Sequence, residues 1–140
     1  MHVLSSDAFD VTPLEGLPGV AFTWKEPASS PAIREAYSEL LSYMKANNLP
    51  YLLLDLRLRG RASFADEQWM TQVFFPSLLE KFSVIYFATV LAPAHYNTLR
   101  LESINGNMGN LSSLLRMHHF LSPTAAVEWL HSQQEPFTIP

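Results

Sequence analysis

The sequence predicts an α/β domain with a mixed β-sheet of about five strands and about four helices. Residues 52–54 and 84–90 are apolar without alternation, which is typical of central strands covered on both faces. A helical pattern precedes the first of them, and a second one separates the two. The length of 140 residues and the hydrophobic content of 48% predict that residues 1–140 form a single domain. Its core is expected over residues 20–130, with a tail at 133–140.

An N-terminal hairpin and a helix are predicted before the first central strand. Residues 2–12 and 20–24 indicate two strands joined by a turn rich in Pro and Gly. Ser30 and Pro31 suit the N-cap and first position of a helix. Its apolar positions share one face: Ile33, Ala36, Tyr37, Leu40, Leu41 and Met44.

A helix from about Ala65 to Leu79 links the two central strands as a βαβ crossover, and Pro76 predicts a kink in it. A further helix is predicted over residues 93–104. Four further segments complete the prediction: turns at 105–110, a helical turn at 111–115, a strand at 117–120, and a closing helix capped by Ser122 with Ala126, Trp129 and Leu130 inward.

Composition narrows the function classes. The absence of cysteine excludes disulfides, thiolate metal sites and cysteine nucleophiles. A net charge of −4 gives no general attraction to nucleic acid or anionic lipid. The N-terminus lacks a secretory pattern, and no apolar run is long enough for a membrane span. We expect a cytoplasmic protein with no nucleic-acid partner, no membrane insertion and no cofactor.

Three short motifs resemble the STAS domain, in its SpoIIAA-like branch. They are LLLDL at residues 52–56, Trp69 in the next helix, and AVEWL at residues 126–130. The resemblance implies helices stacked largely on one face of a mixed sheet. In anti-sigma-factor antagonists of that family, a serine at the start of the helix after the "DL" strand is phosphorylated, and Ser63 falls at the matching place. The surrounding family motif, Asp-Ser-Ser/Thr-Gly, is replaced here by Ala62, Ser63, Phe64 and Ala65.

Polar candidates cluster after the LLLDL strand. Arg57, Arg59 and Arg61 would project from one side of an extended chain and hold an anion or a partner, or they form a solvated edge. Ser63, followed by Asp66, is favoured as a helix N-cap over a phosphate acceptor.

Asp55 is expected to accept hydrogen bonds from the turn that follows its strand. His118 and His119 would face opposite sides of a strand, so no metal site is predicted. Trp69, Phe74 and Phe75 suggest core, or alternatively an apolar pocket or a dimer face. Because Phe74 and Phe75 are adjacent, they are not expected to face the same core. One of them is expected to lie near a second helix, a partner or solvent.

The favoured function is a non-enzymatic protein-interaction or regulatory module that binds through residues 57–64. A homodimer is a further expectation. The first alternative is a carrier of a small apolar or lipid-like ligand, which the comparison of STAS-like sheets with lipid-transfer domains permits. An enzyme is disfavoured because nothing pairs a nucleophile with a base.

Overall fold

The computed structural model describes residues 4–60, 62–104 and 114–134, with side chains for 6–60, 62–98 and 114–134. Six strands lie in this part of the chain: β1 (Leu4–Ser5), β2 (Phe9–Pro13), β3 (Gly19–Trp24), β4 (Tyr51–Asp55), β5 (Ile85–Val90) and β6 (Leu115–Phe120). They form one sheet in sequence order. β1, β2 and β3 pair antiparallel, whereas β3 to β6 run parallel. The predicted mixed sheet is confirmed, with one more strand than expected.

Four helical regions accompany these strands: α1 (Ser30–Asn47), a continuous run of α2 (Phe64–Trp69), a π-helical turn (Met70–Phe74) and α3 (Phe75–Leu79), then α4 (Pro93–Ile104) and α5 (Pro123–Ser132). The interruption predicted at Pro76 takes the form of the π-helical turn directly before it. There the Phe75 N–H donates to the Met70 carbonyl. Because proline has no N–H to donate, a wider turn accommodates it within the run.

Three boundaries differ from the predictions. Residues 2–12 are not one strand, because the Ser6 Oγ accepts from the Ala8 and Phe9 N–H groups and turns the chain between β1 and β2. The N-cap of α1 is Ser29 rather than Ser30. Leu115 begins β6, so it is not part of a helical turn. The predictions for 105–113 and for the end of the tail, 135–140, lie outside the described residues.

Helices cover both faces of the sheet. Residues of α1, of the run from Phe64 to Leu79, and Tyr96 of α4 pack on the side chains of Leu52 and Leu54. The opposite face carries Leu53 and is covered by α5 through Ala126 and Leu130. This arrangement explains why β4 is buried at every position. The resemblance to the STAS domain implies helices largely on one face of the sheet, and α5 is the helix that departs from this expectation.

The pairing of β3 with β4 requires a glycine at position 19, the first residue of β3. Gly19 is paired with Tyr51 of β4, and a Cβ at Gly19 would lie 2.2 Å from the Tyr51 carbonyl oxygen. Close approach of the two backbones therefore excludes any side chain at this position.

His119 of β6 is a partly buried histidine beside Thr89 of β5. Its Nδ1 lies 2.5 Å from the Thr89 Oγ1 of the neighbouring strand. Burial, followed by the nearby His118 and His95, lowers the pKa of His119 to about 4. The neutral imidazole is therefore the form that the folded protein favours.

Acidification from pH 7 to pH 5 is expected to lower the free energy of unfolding by about 2 kcal/mol through His119. The folded pKa lies below the ordinary value of 6.5, so the unfolded chain binds the proton first. The loss begins as the pH falls below that value and levels off below the folded pKa. Urea unfolding at both pH values measures it. His119→Asn should flatten the dependence, whereas the exposed control His131→Asn should retain it; equal slopes for wild type and His119→Asn would contradict the assignment.

Candidate functional site

The candidate site is the connecting segment, residues 57–64, between the carboxyl end of β4 and the first turn of α2. β4 is a central strand held by β3 and β5, so the segment begins from a fixed point. Residues 57–59 form a turn, and Gly60 has a φ of 84°, a conformation that favours glycine. Open α/β sheets commonly place ligands at this edge, beyond the carboxyl ends of their strands.

Asp55 holds the beginning of the connecting segment. Its carboxylate accepts from the Arg57 backbone N–H at 3.1 Å, from Nε at 3.0 Å and from Nη2 at 2.8 Å. Hydrogen bonding to Asp55 raises the pKa of Arg57. The predicted role of Asp55 as an acceptor for the turn is confirmed, and the charge of Arg57 is paired.

Arg59 turns inward and is only 8% exposed. Its Nη1 donates to the Tyr37 Oη at 2.9 Å, and its Nε donates to the Gly60 carbonyl at 3.1 Å. The Trp24 Nε1 donates to the same Tyr37 oxygen at 2.9 Å. Burial raises the pKa of Tyr37, opposed by the charge of Arg59, so the phenol is neutral at pH 7. A chain of hydrogen bonds thus links the segment to β3 and α1.

Arg59 differs from Arg57 in having no carboxylate partner. Both groups that accept from its guanidinium are neutral, and no acid of the described chain forms an ion pair with it. Buried charges are normally paired, because removal from water penalises the ionised form. Arg59 therefore carries the uncompensated charge of this part of the site.

Asp66 ties the far end of the connecting segment to α1. Its Oδ2 accepts from the Ser30 hydroxyl at 2.6 Å and from the Ser63 hydroxyl at 2.9 Å. Its Oδ1 accepts from the Arg34 Nε at 3.1 Å. The Ser63 Oγ in turn accepts from the Asp66 N–H at 3.1 Å, which confirms Ser63 as the N-cap of α2. The cluster joins the first turns of two helices.

Hydrogen bonding lowers the pKa of Asp66, with Ser30 as the largest cause and Ser63 and Arg34 adding to it against the effect of burial. The carboxylate is consequently ionised across the physiological range. A depressed pKa also makes Asp66 a poor proton acceptor, so the contact between Ser63 and Asp66 is unsuited to activating a nucleophile.

Two large apolar side chains project from the connecting segment. Leu58 is 59% exposed and Phe64 is 74% exposed. Leu58 lies between the two arginines, and Phe64 directly follows the capping serine. Exposed aromatic side chains are enriched at the centres of protein interfaces. The segment therefore presents apolar surface on a backbone held at both ends.

The predicted row of three arginines is not present as such. The chain turns at 57–59, so Arg57 is exposed and paired with Asp55 while Arg59 is buried beside Tyr37. An extended geometry would have placed them on one side, but the turn breaks that alternation. Arg61 lies outside the described residues.

The aromatic residues predicted as pocket or dimer face pack on one another, with Phe74 and Phe75 inside the core and the partly buried Trp69 against it. Phe74 packs between Trp69 and Tyr37, and Phe75 packs on Phe87. Both phenylalanines are buried in the same apolar cluster, so the expectation that they cannot face one core is wrong. The expected contact of one of them with a second helix is confirmed, because Phe74 packs on Tyr37 of α1. Because they occupy the junction of the π-helical turn and α3, adjacent side chains reach different parts of one apolar cluster. Phe74 and Phe75 therefore offer no exposed dimer face, and a ligand pocket beside them stays a prediction.

The two neighbouring histidines point to different partners, as predicted. His118 packs on Trp129 of α5, whereas His119 contacts Thr89. Within residues 6–60, 62–98 and 114–134, no three His, Cys, Asp or Glu side chains are grouped to hold a metal ion.

Tyr37, Trp24, Ser30 and Arg34 belong to the site but were absent from the sequence-based candidates. Tyr37 looked like an ordinary member of the apolar face of α1, and Ser30 like a cap. The Ser30 and Asp66 positions are 36 residues apart, so local patterns gave no signal for their contact.

Comparison with known proteins adds no relative: no family model, no curated protein and no solved structure matches the chain. No helix in the described portion is long and apolar enough to cross a bilayer.

Proposed function

We propose that the chain is a non-enzymatic, STAS-like module that binds a protein partner through the connecting segment. The observation that carries the proposal is the exposure of Leu58 and Phe64 on a segment in which Arg57, Arg59 and Ser63 are hydrogen-bonded to Asp55, Tyr37 and Asp66. Fixing a segment before binding reduces the entropy lost on association. Apolar side chains on such a segment therefore favour specific binding.

Hydrogen bonds at both ends hold the connecting segment in a defined position. Asp55 fixes its start, Arg59 anchors its middle to Tyr37, and the Ser63 cap fixes its end. The STAS-like resemblance supports a regulatory role at this place in the chain. Phosphorylation of Ser63 is not part of the proposal, because a phosphate there would be repelled by the Asp66 carboxylate.

Replacing the two exposed apolar residues tests the proposal. Leu58→Ser with Phe64→Ser should abolish capture of a partner from extracts of the native host, while the melting temperature changes little, because surface substitutions are usually within about 0.5 kcal/mol. Val73→Ser is the matched control, since Val73 is 45% exposed and belongs to the π-helical turn rather than to the connecting segment. Quantitative mass spectrometry of captured proteins compares the three baits. A partner retained equally by all three would place the binding face elsewhere.

A further inference from the structure

We infer that Arg59 receives a carboxylate of the bound partner, in a peptide segment where an acidic residue stands beside a large apolar one. The inference rests on the proposed function and names the chemistry of its partner. Its starting point is the guanidinium itself, which is largely buried yet bonded only to the neutral Tyr37 Oη and Gly60 carbonyl.

One nitrogen of the Arg59 guanidinium, Nη2, is left for a ligand. Nε and Nη1 have acceptors, whereas Nη2 has none among the described residues. No buried side-chain nitrogen or oxygen of the described chain lacks a hydrogen-bond partner, so Nη2 must reach the surface. The remaining N–H groups of Arg59 are thus available from outside, on a side chain that Tyr37 holds in one orientation.

The other two described arginines of the site, Arg57 and Arg34, differ from Arg59 because each is paired with a carboxylate. Arg57 is neutralised by Asp55 and Arg34 by Asp66. A carboxylate arriving at Nη2 would form a charge-assisted hydrogen bond in partly dry surroundings, where such bonds are strongest. It would also supply the counter-charge that Arg59 lacks.

A peptide carboxylate fits better than a free phosphate. A phosphate dianion is best held by several cations, and Arg57, the described cation two residues from Arg59, is already paired with Asp55. Leu58 precedes Arg59, and Phe64 lies five residues beyond it; their exposed side chains would pack on apolar groups that free phosphate lacks. Charge and apolar surface together therefore favour an acidic–apolar peptide segment.

The test titrates the protein with N-acetyl-aspartyl-phenylalanine amide, its asparaginyl counterpart and inorganic phosphate. The Trp24 indole N–H is the reporter, because it shares the Tyr37 oxygen with Arg59. Its NMR signal, with the Arg59 side-chain signals, should shift saturably with the aspartyl peptide. Loss of the carboxylate should weaken binding about tenfold, in line with a charged hydrogen bond. Phe64→Ser should also weaken it, whereas Val73→Ser should not.

Each outcome bears on the inference. Equal binding of the aspartyl and asparaginyl peptides, or no shift at all, would overturn it, because the carboxylate would then play no part. Phosphate acting as strongly as the peptide would overturn the peptide class in favour of a free anion. The proposed function fails separately, if capture survives Leu58→Ser with Phe64→Ser. Arg59 is not replaced in this test because its removal also disturbs the fold.

Discussion

Asp66→Ala should lower the free energy of unfolding by about 3 kcal/mol, because a buried carboxylate with three side-chain donors is removed. The substitution leaves the Ser30 hydroxyl and the Arg34 guanidinium without their acceptor and breaks the link between α1 and α2. Arg34 is 43% exposed and can return to water, so the expected loss in free energy of unfolding is smaller than that for a fully buried ion pair. Urea unfolding monitored by circular dichroism gives the value directly.

Two milder variants separate the parts of this effect. Ser30→Ala removes one donor and should cost about 1 kcal/mol. Asp66→Asn keeps the shape of the side chain but loses its charge. Its loss in free energy of unfolding should therefore lie between those of Ser30→Ala and Asp66→Ala. Because the pKa of Asp66 is lowered in the folded state, its stabilisation is present above the ordinary value of 3.8 and disappears as pH falls through the folded pKa. An Asp66→Ala protein within about 0.5 kcal/mol of wild type at pH 7 would show that the cluster is not stabilising.

The local signals in the sequence were sufficient for most elements. The cap of α2 at Ser63, the bounds of α4 and the cap of α5 at Ser122 were predicted because each depends on a few consecutive residues. The double burial of β4 followed from its unbroken apolar run. These features are fixed by short-range chemistry.

The burial of Arg59 and of the neighbouring aromatic residues depends on contacts between distant parts of the chain, which no local sequence pattern contains. An arginine in an apolar–basic run looks exposed, yet Arg59 is buried because Tyr37 of α1 offers an acceptor 22 residues earlier in the chain. Likewise the burial of both Phe74 and Phe75 depends on the π-helical turn and on neighbours from other elements. The sequence therefore predicted the turn after β4 and the Ser63 cap of α2, but not the burial of Arg59.

Arg59→Ala should lower the free energy of unfolding by about 2–4 kcal/mol, whereas Leu58→Ala next to it should change it by less than about 0.5 kcal/mol. The alanine removes the packed aliphatic stem and one hydrogen bond to Tyr37, while Leu58 is already 59% exposed. Arg59→Lys should recover only part of the loss, because an ammonium group lacks the planar fork that contacts both the phenol and the Gly60 carbonyl. Thermal and urea unfolding compare the three variants.

A double-mutant cycle with Tyr37→Phe isolates the contact itself. Tyr37→Phe leaves both the Trp24 indole and the Arg59 guanidinium without their common acceptor, so it should destabilise on its own. If the pair acts as a unit, the double variant should lose about 1 kcal/mol less than the sum of the single losses. Strict additivity would mean that Arg59 stabilises only by packing. Coupling would instead identify the Arg59–Tyr37 hydrogen bond as the contact that holds the connecting segment in position for binding.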